Sequence, residues 1–292
     1  MKLIIYLNIV LLIMSCTKIS PLAETEITED EIPIIDEIPD SLSFFDVMTW
    51  NIEQFPIHDN TTSKVISIID SLSPKIIAFQ EINDQSEFNN INSNLIFYDV
   101  YRTSSAAYGI NLAFMWDTSF VKNVNIYEIL SWDSYALPRA PLVMECRINN
   151  LDFIIINNHL KCCDDGFARR QEAIIILKEY TDQNYNNDRV ILLGDLNDNL
   201  NDPEDYNVFT PFLDDRDSYL FVDEYFEIED YSYPSYPSHI DHILISSEIY
   251  DIYNSQYTVA KTILLDETVE NYFYQVSDHL PVYLKLVFEW GK

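Results

Sequence analysis

Ile191-Leu-Leu-Gly-Asp-Leu-Asn-Asp198 decides how the rest of the chain is read. A run of branched apolar residues stops at Gly194 and then presents Asp195 and Asn197 two residues apart. Side chains on a strand repeat every second residue, so a buried strand ending here delivers a carboxylate and a carboxamide to one rim of a sheet. Groups so held can orient a water, accept its proton and bind a phosphoryl oxygen. The same segment is also readable as a plain strand followed by an Asp/Asn turn, so its meaning depends on the company it keeps.

That company begins upstream. Phe44 to Asn51 reads as a buried strand ending in polar Asn51 and Glu53, and Lys75 to Gln80 as a second, closed by Glu81. Between them Val65, Ile68, Ile69 and Leu72 form one helical face, with Thr61 and Thr62 as caps and Pro74 past the end. A polar helical stretch near Asp84 to Ile91 precedes strands at Tyr98 to Arg102, Ile110 to Trp116, Val124 to Ile129, Leu142 to Ile148 and Leu151 to Asn158. Asn149-Asn150 makes the last two a hairpin, because Asn tolerates positive φ. Phe167 to Tyr180 is helical, with Ala173, Ile176, Leu177 and Tyr180 on its apolar face. Downstream, a strand carries Asp241 and His242 on opposite faces, and Asp278-His279 stands directly before a final apolar strand. Such a pattern predicts a mixed α/β (α+β) fold with mostly antiparallel sheets. The segment from Asp202 to Pro237, with YSYPSYPS inside it, has no assignable element.

The 292 residues are 48% hydrophobic and 14% aromatic, enough for a large core and suited to strands. The only four glycines, Gly109, Gly166, Gly194 and Gly291, exclude a Walker-type phosphate loop and a dinucleotide fingerprint. GxSxG is absent as well, which argues against a serine nucleophile elbow. A net charge of -31 opposes long-range attraction to nucleic acid or acidic lipid, though not a nuclease that meets its substrate through divalent cations and local arginines.

Residues 1–15 read as a signal peptide: Lys2, then an apolar run from Leu3 to Met14 that is short for a membrane span. The ending IMSC resembles a bacterial lipoprotein signal, with Cys16 as the lipidated residue. Residues 16–42, acidic and with Pro21, Pro33 and Pro39, read as a flexible tether, and 43–292 as one catalytic domain. The expectation is an exported protein anchored by lipid alone, facing the periplasm or the cell exterior. Export would leave Cys146 able to pair with Cys162 or Cys163, and His159 with those two thiols is an alternative zinc ligand set lacking a second cluster.

Taken in order, TWNIE, FQE, NNHL, GDLND, IDH and SDHLPV resemble the endonuclease/exonuclease/phosphatase superfamily, the group of deoxyribonuclease I, exonuclease III, neutral sphingomyelinases and inositol polyphosphate 5-phosphatases. The resemblance spans Asn51 to Val282. It implies a four-layer α/β sandwich, two packed sheets with helices outside. It also implies a metal-dependent phosphoesterase using Mg²⁺ or Mn²⁺, with Ca²⁺ possible. By the same resemblance Asn51, Glu53, Glu81 and Asp278 hold or flank the metal. Asp195 and Asn197 orient water and phosphoryl group, His279 pairs with Asp241, and His159 is a second imidazole. Arg139 resembles a phosphate-contacting arginine, and Arg169 or Arg170 could face the pocket from a helix start. His242 is read as packing or capping rather than catalysing. NNHL carries His159 where abasic-site and exonuclease III-type members have tyrosine, which tilts the reading toward the deoxyribonuclease I, sphingomyelinase and phosphatase branches. The expected activity is hydrolysis of P–O bonds, foremost in nucleic acid, by a monomer. Phospholipid headgroups or small phosphate esters are the alternative substrates, and an inactive binding lipoprotein the alternative of another class.

Overall fold

The computed structural model describes residues 42–226 and 230–289. The expected signal peptide, Cys16 and nearly all of the expected tether lie outside the described residues. Among the described residues, twelve strands form two six-stranded sheets. The first has the order β11-β12-β1-β2-β4-β3, from β1 (Leu42–Phe55), β2 (Ile76–Ile82), β3 (Tyr98–Arg102), β4 (Asn111–Asp117), β11 (Val259–Thr262) and β12 (Val282–Glu289). The second has the order β5-β6-β7-β8-β10-β9, from β5 (Lys122–Glu128), β6 (Leu142–Ile148), β7 (Leu151–His159), β8 (Arg189–Asp195), β9 (Tyr219–Phe221) and β10 (Asp241–Ser246). The pairings β1 with β2 and β7 with β8 are parallel, and the others are antiparallel. The mostly antiparallel α/β sandwich expected from the sequence is therefore the fold observed.

Alternation along the strands builds the layers. Phe45, Val47, Ile76, Ala78 and Phe114 of the first sheet meet Met144, Phe153, Ile155, Ile191, Leu193 and Ile243 of the second in the central core. The opposite face of the first sheet, with Met48, Trp50, Ile77 and Phe79, is covered by helices α1 (Thr61–Leu72) and α2 (Gln85–Asn94). The opposite face of the second, with Ile154, Ile156, Val190 and Leu192, is covered by α3 (Phe167–Asn184). Among the described residues no helix is long and apolar enough to cross a membrane.

Local sequence explains most boundaries. Asn149 and Asn150 both adopt positive φ, 49° and 67°, and join β6 to β7 as a tight hairpin. Asp84 caps α2 by accepting from the backbone N–H groups of Ser86 and Glu87. One reading needs correction. Thr61 and Thr62 do not cap α1: the cap position is Asn60, while Thr61 Oγ1 accepts from His58 N and Thr62 donates to Glu87. On α3 the expected Ala173 and Leu177 are buried and the expected Ile176 and Tyr180 are half-buried against the same cluster, joined by Arg170, Ile174 and Thr181, which the spacing did not mark.

Gly194 is required where it stands. Its φ is +141°, and a Cβ there would lie 2.0 Å from the Asn158 carbonyl oxygen of the neighbouring parallel strand. The close approach lets His159 and Asp195 end in register at the tips of β7 and β8.

Candidate active site

Both parallel strand pairs end at the same mouth. β1 supplies Asn51 and Glu53, β2 supplies Glu81, β7 His159 and β8 Asp195. β10 contributes Asp241, opposite Asp195 in the antiparallel register, and the turn before β12 contributes Asp278 and His279.

At the centre Asp195 Oδ2 accepts from Asn51 Nδ2 at 2.9 Å and lies 3.5 Å from His159 Nε2 and 3.9 Å from His279 Nε2. Asn51 Nδ2 also reaches Glu81 Oε1 at 3.5 Å. His279 Nδ1 meets Asp241 Oδ2 at 2.8 Å. Burial and the neighbouring Asp241 carboxylate push Asp195 up to about 7. Burial opposes charge on His279, yet Asp241 and then Asp195 outweigh it and hold that imidazole up to about 10. His159 moves the other way: burial, then Arg139 and His279, press it well below its ordinary value, so it is a neutral ring. Two imidazoles a few ångströms apart are thereby set in opposite protonation states.

Glu53, Glu81 and Asp278 crowd the outer edge. Glu53 is raised by burial and then by Asp278 and Glu81, and Asp278 by burial and then by Glu81 against the opposing pull of His279. Among the described residues none of the three forms an ion pair with lysine or arginine. Hard oxygen donors that repel one another, with no lysine or arginine between them, are the donor set a divalent cation fits. Backbone strain accompanies them. Glu81 sits at φ +64°, Glu53 at +32°, Gln54 at +43° and Asn197 at +56°. Register shifts between Asn51 and Phe55 and between Phe79 and Ile82 mark bulges that turn Glu53 and Glu81 toward the mouth, and Gln54 N donates to Glu81 Oε2 at 2.9 Å.

Asn197 lies beside the cluster, its N–H on Asp195 Oδ1 at 3.1 Å and its Nδ2 on the Leu160 carbonyl at 3.3 Å. Arg139 donates to the same carbonyl at 3.2 Å and acts electrostatically on Asp195 and Glu81. The other two arginines are not brought in. Arg170 is buried and spends its donors on Asp198 and on the carbonyls of Lys161 and Cys163. Arg169 is held against Tyr135, donating to its carbonyl at 2.6 Å. His159, Cys162 and Cys163 do not come together as the alternative zinc set among the described residues, and Cys146, buried in the central core, is free and paired with neither thiol. Among the described residues, close-set groups of three His, Cys, Asp or Glu are Asp195-Asp241-His279 and Asp223-His239-His242.

Sequence reading missed the groups that support this cluster. Ser277 Oγ donates to the Asn51 carbonyl at 2.7 Å and accepts from His279 N, while Tyr272 bridges Trp50 Nε1 to the His279 carbonyl. Ser232 Oγ accepts from Ile240 N and Asp241 N, and the Tyr233 ring packs 4.9 Å from that of His279. Between the sheets, Gln80 donates to Asn157 at 2.8 Å and Asn157 donates to the carbonyls of Phe79 and Ala113. The polar ends of the runs FQE and NNHL signalled the last pair; the unassigned YSYPSYPS hid Ser232 and Tyr233.

Residues 48–279 match the family model described as Endonuclease/Exonuclease/phosphatase family. Among solved structures, D. rerio TDP2 complexed with a single-strand DNA product aligns with a TM-score of 0.67 at 14% identity, covering 84% of this chain and 99% of that one. The human Nocturnin catalytic domain with bound sulfate aligns at 0.63 and 14%, covering 85% and 97%. A family protein from Bacteroides thetaiotaomicron aligns at 0.58 and 15%, covering 86% and 100%. No curated protein sequence matches the chain.

Proposed function

Because the chain belongs to the Endonuclease/Exonuclease/phosphatase family, a family of phosphoester hydrolases, we propose that it hydrolyses phosphodiesters in nucleic acid outside the cytoplasm, held to a membrane through lipidated Cys16. The observation that carries the catalytic reading is the convergence of Asn51, His159 and His279 on the Asp195 carboxylate, with Asp241 holding His279 from behind.

In this reading Asn51, Glu53, Glu81 and Asp278 hold a divalent ion, Mg²⁺ or Mn²⁺ by their hard oxygen donors. Such an ion supplies Lewis-acid stabilisation of charge on the phosphoryl oxygens. Asp195, raised toward neutrality, accepts the proton of the water that attacks phosphorus in line, and Asn197 helps to orient that water. Asn51 fixes the carboxylate by donating to Oδ2. The His279 imidazolium, kept charged by Asp241, donates to a non-bridging oxygen as charge develops there. Neutral His159 donates a second hydrogen bond without adding charge, and Arg139 supplies the local cation.

A second reading is favoured by the charge of -31, which repels long polyanions: the substrate would then be a phospholipid headgroup or a small phosphate ester. Purified protein offered plasmid DNA, RNA, sphingomyelin and inositol phosphates, with Mg²⁺, Mn²⁺ or Ca²⁺, separates the two. Cleavage of DNA or RNA that stops on chelation is expected. Turnover of the small esters alone would replace the nuclease reading with the second, and no turnover of any substrate would leave a binding lipoprotein that keeps the fold.

A further inference from the structure

The second close-set group has no part in that chemistry. Asp223, just past β9, directs Oδ2 at two imidazoles: His239 Nε2 at 2.9 Å and His242 Nδ1 at 2.5 Å. Its other oxygen accepts from Ile243 N at 3.1 Å. Asp223 and His242 have side chains with 0% exposure, and that of His239 is 17% exposed, leaving an approach from solvent. Phe209 and Phe221 stand edge-on to the His242 ring and Phe226 packs against His239, so the group lies in an apolar shell.

The hydrogen bonds call for a positive charge. His242 Nε2 lies 2.8 Å from the Asp198 carbonyl, which can only accept, so Nε2 carries a ring proton. Nδ1 faces the Asp223 carboxylate across 2.5 Å, a place for either a second ring proton or a cation. Burial opposes charge on this ring, but Asp223 outweighs it and raises His242, so the metal-free group holds the proton that a cation would replace. An imidazole that donates one N–H to a backbone carbonyl while aiming its other nitrogen at a carboxylate oxygen and a second imidazole has the arrangement by which proteins orient a metal-bound histidine. His239 Nδ1, buried and without a partner, shows that the second ring is not held from behind.

We propose that Asp223, His239 and His242 form a binding site for a first-row divalent cation of the zinc class. Two imidazoles and one carboxylate suit zinc, with a fourth position open on the exposed side of His239. Donors at about 2.0–2.1 Å from zinc stand about 3.3 Å apart in a tetrahedron, so on loading the 2.9 Å separation widens by about 0.4 Å and the 2.5 Å one by about 0.8 Å. The occupied site would position rather than catalyse. It ties the end of β9 to the start of β10, next to Asp241, and through His242 to the carbonyl of Asp198, three residues beyond Asp195. The proposal does not depend on which phosphate ester the active site cleaves.

The test uses purified protein stripped with a chelator, returned to one equivalent of Zn²⁺ and desalted. Retention of one zinc per chain is expected, with a rise in Tm. X-ray absorption should show nitrogen and oxygen neighbours including two imidazoles and no sulfur. Asp223→Asn and His239→Gln should each weaken zinc binding by more than the roughly 10- to 100-fold that changes around metal ligands cost. His279→Ala and the pair Cys162→Ser with Cys163→Ser should leave it unchanged. Absence of retained zinc in the unaltered protein overturns the site, as do sulfur neighbours or uptake indifferent to both ligand variants. The group would then be an imidazolium–carboxylate clamp. The absorption spectrum needs no variant, so a misfolded substitution does not blunt the test.

Discussion

Asn51 donates its carboxamide to Asp195 across 2.9 Å, and this single bond joins the end of β1 in one sheet to the end of β8 in the other. Each sheet thus brings half of an arrangement that neither completes. If Asn51 fixes the carboxylate, Asn51→Ala should lower kcat by about 10² to 10³, the usual loss when a preorganised donor is removed. Melting should change little, because the two sheets remain joined by their apolar core. A KM effect with kcat intact would show instead that Asn51 acts in binding.

Glu81→Gln should abolish turnover at ordinary metal concentrations while leaving the fold intact. Its backbone stands in a left-handed conformation that the surroundings must enforce, and among the described residues no lysine or arginine pairs with its carboxylate, which has only the neutral His159 ring at 3.8 Å. Calorimetric titration with Mn²⁺ provides the check, and unchanged affinity would remove Glu81 from the cation site.

His279→Ala and Asp241→Ala should each cost about 10² to 10⁴ in turnover, the range of general acid–base assistance. Since Asp241 acts through the ring it holds at 2.8 Å, the double variant should fall little below the worse single one. A cycle on one phosphodiester under saturating metal decides it: losses that multiply would mean that the two residues act separately.

Much of this site could be read from the chain because its residues end apolar strands, where the change from branched side chains to Asn, Glu, His or Asp is abrupt. FQE, NNHL and GDLND each show that break, and each falls at the tip of β2, β7 or β8. Arg169 and Arg170 could not be sorted the same way. Both open a helix, and only tertiary packing turns one onto Asp198 and the other onto Tyr135. The Asp223-His239-His242 group was invisible for a related reason: Asp223 lies in a stretch without periodicity, sixteen residues before His239, and chain folding alone unites them.

In metal-free protein, stability should fall as pH rises above about 7. Asp195 is raised from 3.8 to about 7 and His279 from 6.5 to about 10, so both bind protons more tightly folded than unfolded. The Asp195 contribution is lost as pH climbs from near 3.8 through 7, a range in which His159, pressed below its ordinary value, works in the opposite sense. That of His279 is complete below about 6.5 and disappears through about 10. Melting in chelator from about pH 7 to 10 should descend, and Asp241→Asn should flatten that limb. A profile that rises with pH over this window would contradict the shift assigned to His279.

Arg170→Ala should be costly although it removes no group from the mouth. The Arg170–Asp198 pair is buried, with side chains 8% exposed on both sides, and removing one partner strands the other charge at a cost of about 3 to 5 kcal/mol. Arg169→Ala, half-buried and held on the exposed Tyr135, should cost less, about 1 kcal/mol. Denaturant melts of the two variants make the comparison, and equal losses would refute it.

The long strand β1 gives the molecule a polarity. Leu42 pairs with Glu289 at one end, and Asn51, nine residues on, reaches the mouth at the other, about 30 Å away at roughly 3.3 Å per residue. Leu42 therefore stands at the end of β1 behind the catalytic rim, so the anchor proposed at Cys16 would join the domain on the side away from the mouth.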